Sequence, residues 1–200
     1  MDEFRDGFEV YTKIDGSPVT SADLAASKMI ASILSKTAVP IIGEELEKDS
    51  FEQRKSWQQH WSVDPLDGTK MFLAKRPEFA VNIAFMEGNR PVFGLIADPT
   101  QELILFGGDG IAPTILDANN NLQTLKDIDL NTPITVSCSR GFKMTSGNHF
   151  LDKVALQFGD YQLIRKSSSL KFFDLAKGNS DLYPRFAPTM EWDISAGHAI

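Results

Sequence analysis

Apolar residues recur at helical spacing in a few segments of this chain and at strand spacing in many more. Between residues 21 and 36 they repeat with a helical period, Leu24 and Met29 among them. We therefore expect a first helix there, capped by Thr20 or Ser21. Short β-branched or alternating runs predict strands instead. Those strands are expected at residues 39–42, 61–63, 79–86, 91–97, 102–106 and 111–116.

The second part of the chain alternates strands with helices. A polar stretch at residues 117–132 contains three successive asparagines and marks the best candidate seam between two halves, 1–130 and 131–200. Together the two halves are expected to form one compact unit. After the seam, the pattern predicts strand 134–138, helix 148–158, strand 161–165, helix 168–177, strand 181–183 and a helix beginning at Glu191. Hairpins followed by this alternation predict a layered α/β fold with a mostly mixed sheet.

Composition and charge narrow the class of protein. With 42% hydrophobic and 24% charged residues, the chain is typical of one soluble globular domain, which excludes disorder and fibrous repeats. A net charge of −7 argues against nucleic-acid binding through a basic face. The single cysteine, Cys138, cannot form an internal disulfide and is expected to be a small buried residue. The longest apolar runs are too short to cross a bilayer, so the sequence does not indicate membrane association.

The strongest chemical signal is the acidic run Asp64-Pro-Leu-Asp-Gly-Thr69. Pro65 fixes its own φ, so we expect the chain to turn at the end of a strand and the two carboxylates to converge. Gly68 allows close backbone approach, and Thr69 can begin a helix whose N–H groups face the same point. Converging carboxylates suit Mg²⁺, and a helix N-terminus suits phosphate. The segment therefore indicates a magnesium and phosphate site.

An ordinary polar turn has the same spacing, and Glu44-Glu45 also fits a solvated loop. The chemical interpretation gains support from a third acidic position, Asp193, which follows Trp192. It also gains from the absence of P-loop, nucleophile-elbow, zinc-protease and dinucleotide-binding motifs. The histidines have no partner at ligand spacing and are interpreted as surface or core residues: His60, His149 and His198.

With these motifs the chain resembles the lithium-sensitive, Mg²⁺-dependent phosphatases of the inositol monophosphatase superfamily. The superfamily-wide elements are residues 64–69 and Trp192-Asp-Ile-Ser-Ala-Gly197. Within that superfamily the chain is most similar to bacterial 3′(2′),5′-bisphosphate nucleotidases of the CysQ type. The segments that carry this closer similarity are residues 15–23, 64–72, 78–84, 167–172 and 182–186. The resemblance implies a layered α-β-α-β-α sugar-phosphatase fold, and a chain that is truncated at both ends with an incomplete second half.

The resemblance also implies roles for individual residues. It predicts two or three Mg²⁺ ions held by Glu44, Asp64, Asp67, Asp193 and the carbonyl of Leu66. It gives a catalytic role to Glu44 and Thr69, which orient the attacking water, and to Asp23, which matches a carboxylate at a further metal. Substrate contacts are implied for Gly68 and Thr69 at the scissile phosphate, and for Ser168, Lys171 and Arg185 at the nucleoside and its retained phosphate.

The activity implied by the resemblance is hydrolysis of the 3′-phosphate of adenosine 3′,5′-bisphosphate to AMP and phosphate, which clears a by-product of sulfate activation. The implied partner is a small nucleoside bisphosphate. The implied location is cytoplasmic, and family analogy alone adds peripheral attachment to the inner membrane. Two alternatives remain open. One is an inositol monophosphate or sugar-phosphate phosphatase with the same metal centre, and the other is an inactive phosphate- or nucleotide-binding module.

Overall fold

A computed structural model describes residues 1–125, 129–142 and 144–200. Its helices are α1 (Asp2–Asp6), α2 (Ser21–Leu34), α3 (Phe51–Arg54), α4 (Thr69–Leu73), α5 (Met144–Phe158), α6 (Leu170–Ala176) and α7 (Ser195–Ala199), with 3-10 turns at Ser35–Thr37 and Glu191–Asp193. Its strands are β1 (Val10–Thr12), β2 (Pro18–Thr20), β3 (Ile41–Gly43), β4 (Gln59–Asp67), β5 (Ala80–Glu87), β6 (Arg90–Asp98), β7 (Leu103–Gly108), β8 (Ile111–Leu116), β9 (Leu122–Thr124), β10 (Ile134–Cys138) and β11 (Tyr161–Arg165). In these described ranges, no helix is long and apolar enough to span a membrane.

Seven strands form a central mixed sheet in the order β3-β4-β5-β6-β7-β8-β9. Strands β3 and β4 run parallel, and every other neighbouring pair is antiparallel. A separate hairpin joins β1 to β2, and β10 pairs with β11 in parallel. The mixed α/β fold with a mixed central sheet that the sequence predicts is therefore confirmed.

Helices cover both faces of the central sheet. On one face, Ala80 and Ala84 of β5 share a buried cluster with Leu170 of α6 and Ala196 of α7. Val81, whose side chain points to the other face, shares a cavity with residues of α2. Residues from beyond the polar stretch 117–132 therefore pack directly on strands that precede it.

Helix α2 confirms the first predicted helix, but its apolar residues are not the ones it buries. Leu24 is 44% exposed and Met29 is 67% exposed, whereas Asp23 and Ser27 are buried. Thr20 and Asp23 form a reciprocal capping box at its N-terminus. The helical spacing of apolar residues therefore predicted helix α2 correctly. The buried polar residues Asp23 and Ser27, however, decide how the helix is oriented on the sheet.

The acidic run lies inside a strand rather than in a turn after it. Strand β4 extends from Gln59 to Asp67, well past the predicted end at residue 63, and its register against β5 shifts between Asp64 and Asp67. Pro65, which has no N–H to donate, lies within this irregularity. The predicted convergence of the carboxylates therefore arises from a bulge in a strand, and helix α4 begins at Thr69 as expected.

Several smaller predictions differ from the structure. The strand expected at residues 181–183 is reduced to a single parallel bridge between Val136 and Leu182. Part of the polar stretch 117–132 forms the edge strand β9, and residues 126–128 of that stretch lie outside the described residues. The remaining strands and helices of the second half agree with prediction to within a few residues at their ends.

Close backbone packing fixes helix α7 against β6. A Cβ atom added at Gly94 of β6 would lie 2.0 Å from the carbonyl oxygen of Ala196. We expect Gly94→Ala to lower the free energy of unfolding by about 3 kcal/mol, because backbone atoms cannot move aside as a flexible side chain can. Urea denaturation measures this loss. Gly141→Ala, where an added Cβ meets nothing within 4 Å, is the matched control and should change stability little. Equal stability of the two variants would contradict the packing described here.

Candidate active site

The carboxylate of Asp64 is held beneath the surface by the irregularity in β4. Its side chain is buried, and its Oδ1 accepts a hydrogen bond from the Leu66 N–H at 3.0 Å. Burial raises the pKa of Asp64 well above its ordinary value, and the nearby Asp67 and Glu44 carboxylates raise it further. Asp64 is therefore a negative group that lacks a matching positive charge.

Asp67 lies at the end of β4 and faces the second half of the chain. Its Oδ2 accepts a hydrogen bond from the backbone N–H of Ser169, which directly precedes α6. Burial raises the pKa of Asp67, while the Ser169 bond and the positive charges of Lys171 and Arg185 act in the opposite direction. This carboxylate therefore connects the acidic run to the segment that carries the predicted substrate-binding residues.

Glu44 reaches the same region because β3 and β4 run parallel. Glu44 follows β3, and its N–H donates to the carbonyl of Val63 at 3.1 Å. The Nζ atom of Lys13 lies 2.7 Å from Glu44 Oε1 and 2.6 Å from Glu45 Oε1. Burial raises the pKa of Glu45 despite this contact. The β1–β2 hairpin therefore supplies a lysine to an acidic pair of which one member, Glu44, is a predicted metal ligand.

Asp193 comes from the 3-10 turn that precedes α7. Burial, followed by the charge of Asp67, raises the pKa of Asp193 to about 6. The nearest cation is Arg185, whose NH2 atom lies 3.6 Å from Asp193 Oδ2. The carboxylate predicted from the far end of the chain thus lies close enough to Asp67 for the two charges to interact.

The donor set fits a hard divalent cation. Within the described ranges, no three His, Cys, Asp or Glu side chains are already close enough to hold one ion together. However, Asp64, Asp67 and Asp193 all have raised pKa values, because burial disfavours their ionised forms and, for Asp64 and Asp193, neighbouring carboxylates repel them as well. A cation among them would remove that cost, and carboxylate and carbonyl oxygens are the ligands that Mg²⁺ prefers. The residues therefore suit the predicted metal.

Thr69 connects the acidic run to Asp23. Its hydroxyl lies 3.1 Å from Asp23 Oδ1 and 3.2 Å from the carbonyl oxygen of Leu66. The other oxygen of Asp23 accepts the Thr20 N–H at 2.8 Å as part of the α2 capping box. Burial raises the pKa of Asp23, whereas these hydrogen bonds lower it. Asp23 and Thr69, which the resemblance assigns to separate catalytic roles, are therefore in direct contact.

Gly68 is required at its position by both conformation and space. Its φ is +102°, and an added Cβ would lie 2.8 Å from the carbonyl oxygen of Glu78. A residue with a side chain would be strained and would also clash with backbone. The chain can thus turn directly from β4 into α4.

Two predicted substrate-binding residues from the second half of the chain, Lys171 and Arg185, already contact local polar groups. Lys171 is almost fully buried, and its Nζ donates to the carbonyl of Lys166 at 3.1 Å and to that of Ser168. Burial lowers the pKa of Lys171 to about 8. Arg185 NH1 donates to the Tyr183 hydroxyl at 2.8 Å. Both cations are therefore held by other polar groups before any ligand binds.

These residues surround one cleft of about 380 Å³. Its lining includes seven of the predicted site residues: Glu44, Asp67, Gly68, Thr69, Ser168, Lys171 and Arg185. Four predicted residues do not line the cleft but contact or charge-couple to residues that do: Asp23, Asp64, Leu66 and Asp193. None of the described histidines is part of its lining. Glu44, Asp67 and Gly68 of this lining, together with Asp64 and Asp193, whose charges interact with Asp67, are called the acidic wall below. Arg140, Ser167, Ser168, Lys171 and Arg185 of the lining are called the basic wall.

Sequence reasoning missed residues that act through tertiary contacts. Lys13 pairs with the two glutamates. Asn82, opposite Asp64 across β4 and β5, accepts a hydrogen bond from Ser169 Oγ at 2.6 Å and thus supports the contact to Asp67. No local pattern identifies these residues, since their partners are distant along the chain.

Comparisons with known proteins agree with this geometry. The family model described as the inositol monophosphatase family matches residues 1–200. The 3′(2′),5′-bisphosphate nucleotidase CysQ of Salmonella typhimurium is 38% identical over 195 residues, which cover 96% of this chain and 76% of that protein. The corresponding protein of Escherichia coli strain K12 is 37% identical with the same coverage. The crystal structure of CysQ from Bacteroides thetaiotaomicron gives a TM-score of 0.80 at 32% identity, covering 88% of this chain and 70% of that one.

The raised pKa of Asp193 predicts a pH-dependent cost to stability. Above about pH 6 the folded chain carries a buried charge that the unfolded chain does not bury. As the pH falls through 6 toward the unfolded pKa, the folded state takes up a proton and that cost disappears. We expect Asp193→Asn to raise the free energy of unfolding without metal by roughly 1 to 2 kcal/mol at pH 7.5 and not at pH 4.

Urea denaturation with a chelator present at the two pH values measures this difference. Asp109→Asn is the control, because its carboxylate is exposed and Arg90 lowers its pKa. A variant that is less stable than the parent at pH 7.5 would contradict the assigned cost.

Proposed function

This chain belongs to the inositol monophosphatase family, and on that basis we propose that it is a Mg²⁺-dependent 3′(2′),5′-bisphosphate nucleotidase. Its reaction is removal of the 3′-phosphate from adenosine 3′,5′-bisphosphate, which gives AMP and phosphate. Enzymes of this family are metal-dependent phosphatases. The curated relatives named CysQ support the nucleotidase branch.

One observation carries the choice of a bisphosphate over a monophosphate. The cleft has two chemically different walls, with carboxylates on one and the cations of Lys171 and Arg185 on the other. A single phosphate would use the acidic wall through a bridging cation. A second phosphate gives Lys171 and Arg185 an anionic partner, because ammonium and guanidinium groups form strong charge-assisted hydrogen bonds with phosphate. A substrate with two phosphate groups therefore matches both walls.

The residues of the acidic wall would hold the metal. Glu44, Asp64, Asp67, Asp193 and the carbonyl of Leu66 are the proposed ligands, and two or three ions are expected. When bound, Mg²⁺ lowers the pKa of water and neutralises charge that develops on the phosphate and leaving oxygens. Fixing the carboxylates around one region prepares the site for this chemistry before substrate binds.

Residues of the chain itself orient the attacking water and accept its proton. Asp23 holds the Thr69 hydroxyl, and together with Glu44 this hydroxyl positions the attacking water. Glu44 can accept the proton that the water loses as its oxygen attacks phosphorus. The bond from phosphorus to the 3′ oxygen breaks, and that oxygen takes up a proton from solvent to become the 3′-hydroxyl of AMP. The N–H groups of Gly68 and Thr69 bind the transferred phosphate. Ser168, Lys171 and Arg185 retain the nucleoside and its 5′-phosphate.

Two alternative functions remain as expectations from the sequence. An inositol monophosphate or sugar-phosphate phosphatase would use the same acidic wall and leave Lys171 without a second phosphate. An inactive nucleotide- or phosphate-binding module would need no intact metal site. A cytoplasmic location, a role in sulfate metabolism and the absence of nucleic-acid partners likewise remain part of the proposal.

The substrate is tested by measuring phosphate release from adenosine 3′,5′-bisphosphate and from inositol 1-phosphate under the same conditions. We expect the bisphosphate to have a kcat/KM at least about tenfold higher, which corresponds to about 1.4 kcal/mol of transition-state binding from the second wall. A preference of that size for inositol 1-phosphate would replace the proposal by its nearest rival.

The metal role is tested by Asp67→Asn and by chelation. We expect either change to reduce turnover by about a hundredfold or more, since a ligand of the reacting centre is lost while most of the fold contacts remain. Added Mg²⁺ should restore the turnover of the chelated parent chain but not that of the Asp67→Asn variant. A parent chain that binds the bisphosphate but shows no Mg²⁺-dependent turnover would instead support the binding module.

The lowered pKa of Lys171 predicts how substrate binding varies with pH. Its cation is present below about pH 8 and is lost as the pH rises through that value. The KM for the bisphosphate should therefore rise above pH 8, and Lys171→Met should raise KM at pH 7 and remove this part of the pH profile. Lys177→Met, an exposed lysine just after the same helix, is the control and should leave both unchanged. An unchanged KM in Lys171→Met would exclude the assigned contact.

A further inference from the structure

Glu78 forms an ion pair beside the cleft with a residue far away along the chain, Arg140. It lies between α4 and β5, and its Oε2 accepts hydrogen bonds from Arg140 Nε at 2.8 Å and from the Ser167 N–H at 3.0 Å. The NH2 group of Arg140 also donates to Oε1 of Glu78, so the pair is bidentate. These partners are 62 and 89 residues away along the chain. One carboxylate therefore holds two separate segments of the second half.

Both partners of Glu78 belong to the basic wall. Arg140 and Ser167 line the cleft, and Ser167 directly precedes Ser168. The loop that carries Arg140 is fixed from its other side by Arg165, whose NH1 donates to the Phe142 carbonyl at 3.1 Å. The Glu78 carboxylate is only 18% exposed, and its bonds lower its pKa to about 2, with Arg140 the largest cause. It therefore stays ionised throughout the pH range in which an enzyme is assayed.

The backbone of Glu78 touches the acidic wall at the same time. Its carbonyl oxygen lies 2.8 Å from where a Cβ of Gly68 would be, and the Ser168 Cβ lies 3.3 Å from that same point. Gly68 is thus packed between Glu78 and the beginning of the basic wall. Glu78 is consequently a residue whose main chain contacts one wall and whose side chain holds the other.

We propose that Glu78 is a positioning residue that sets the distance between the two walls and so favours substrates with a phosphate group on each wall. The inference rests on the proposed function in that it takes a bisphosphate as the substrate. A ligand that bridges both walls binds well only if their separation is fixed in advance, because ordering them on binding costs free energy. A compact monophosphate contacts only the acidic wall and does not depend on that separation.

The test compares Glu78→Gln with the parent chain on two substrates. Glutamine keeps the size of the side chain but loses the charge that binds Arg140. We expect the KM for adenosine 3′,5′-bisphosphate to rise about fivefold, with kcat changed less than about twofold, because a partly exposed charge-assisted pair is lost. The KM for inositol 1-phosphate should change less than about twofold, since that substrate bridges no walls.

Asp109→Asn is the matched control. Asp109 forms a bidentate pair with Arg90 of the same kind, with distances of 2.9 and 2.6 Å, between exposed residues of β6 and the β7–β8 turn. Neither residue lines the cleft. The Asp109→Asn variant should leave both KM values unchanged. It therefore separates a general effect of losing a surface ion pair from the effect at the cleft.

Binding measurements keep this inference separate from the proposed activity. Calorimetry with Ca²⁺ in place of Mg²⁺ gives Kd values for the bisphosphate and for inorganic phosphate, and Glu78→Gln should weaken only the bisphosphate. If the parent chain binds but does not hydrolyse the bisphosphate, the proposed activity fails and the ratio of these Kd values still decides the role of Glu78. If it does not bind the bisphosphate, both proposals fail.

Equal KM or Kd increases for both ligands, or a change in kcat alone, would overturn the positioning role. If Glu78→Gln does not fold, Arg140→Lys replaces it as the test variant. Lysine keeps the positive charge and loses the bidentate geometry, so it should raise the bisphosphate KM selectively as well. If Arg140→Lys raised the KM for both substrates equally, the positioning role of Glu78 would likewise be overturned.

Discussion

The organisation of this molecule depends on buried carboxylates that converge at one end of β4. Asp64, Asp67 and Asp193 are brought together from two distant parts of the chain. Burial raises the pKa of all three, and neighbouring carboxylates raise those of Asp64 and Asp193 further. Neutral donors and nearby cations offset only part of this cost: Lys13 pairs with the flanking glutamates, and the Ser169 N–H bonds to Asp67. A stable fold tolerates such an arrangement where function requires it, since a hard cation removes the remaining cost.

The rest of the fold supports this cluster by fixing its donors. Parallel pairing of β3 with β4 places Glu44 beside the acidic run, and close packing of α7 on Gly94 holds the turn that carries Asp193. Asp23 serves twice, because one oxygen caps α2 and the other bonds to Thr69. Ordinary helices and strands thus position the residues of the site, and small backbone shifts in them would move those residues.

The basic wall gives the cleft its selectivity in the proposed function. Lys171 is buried, and local carbonyls hold its side chain. The Glu78 ion pair joins this wall to the acidic one through Arg140 and Ser167.

The family and most strands and helices could be predicted from the sequence, because these depend on local spacing and on short motifs such as residues 64–69. The sequence did not reveal which face α2 buries, because the packing of the helix on the rest of the fold decides that. Nor did it reveal the irregularity of the acidic run within β4, which depends on pairing with β5. Nor could it reveal Lys13 or the Glu78 pair with Arg140. Those contacts join residues far apart along the chain, and only tertiary packing brings such charges within hydrogen-bonding distance.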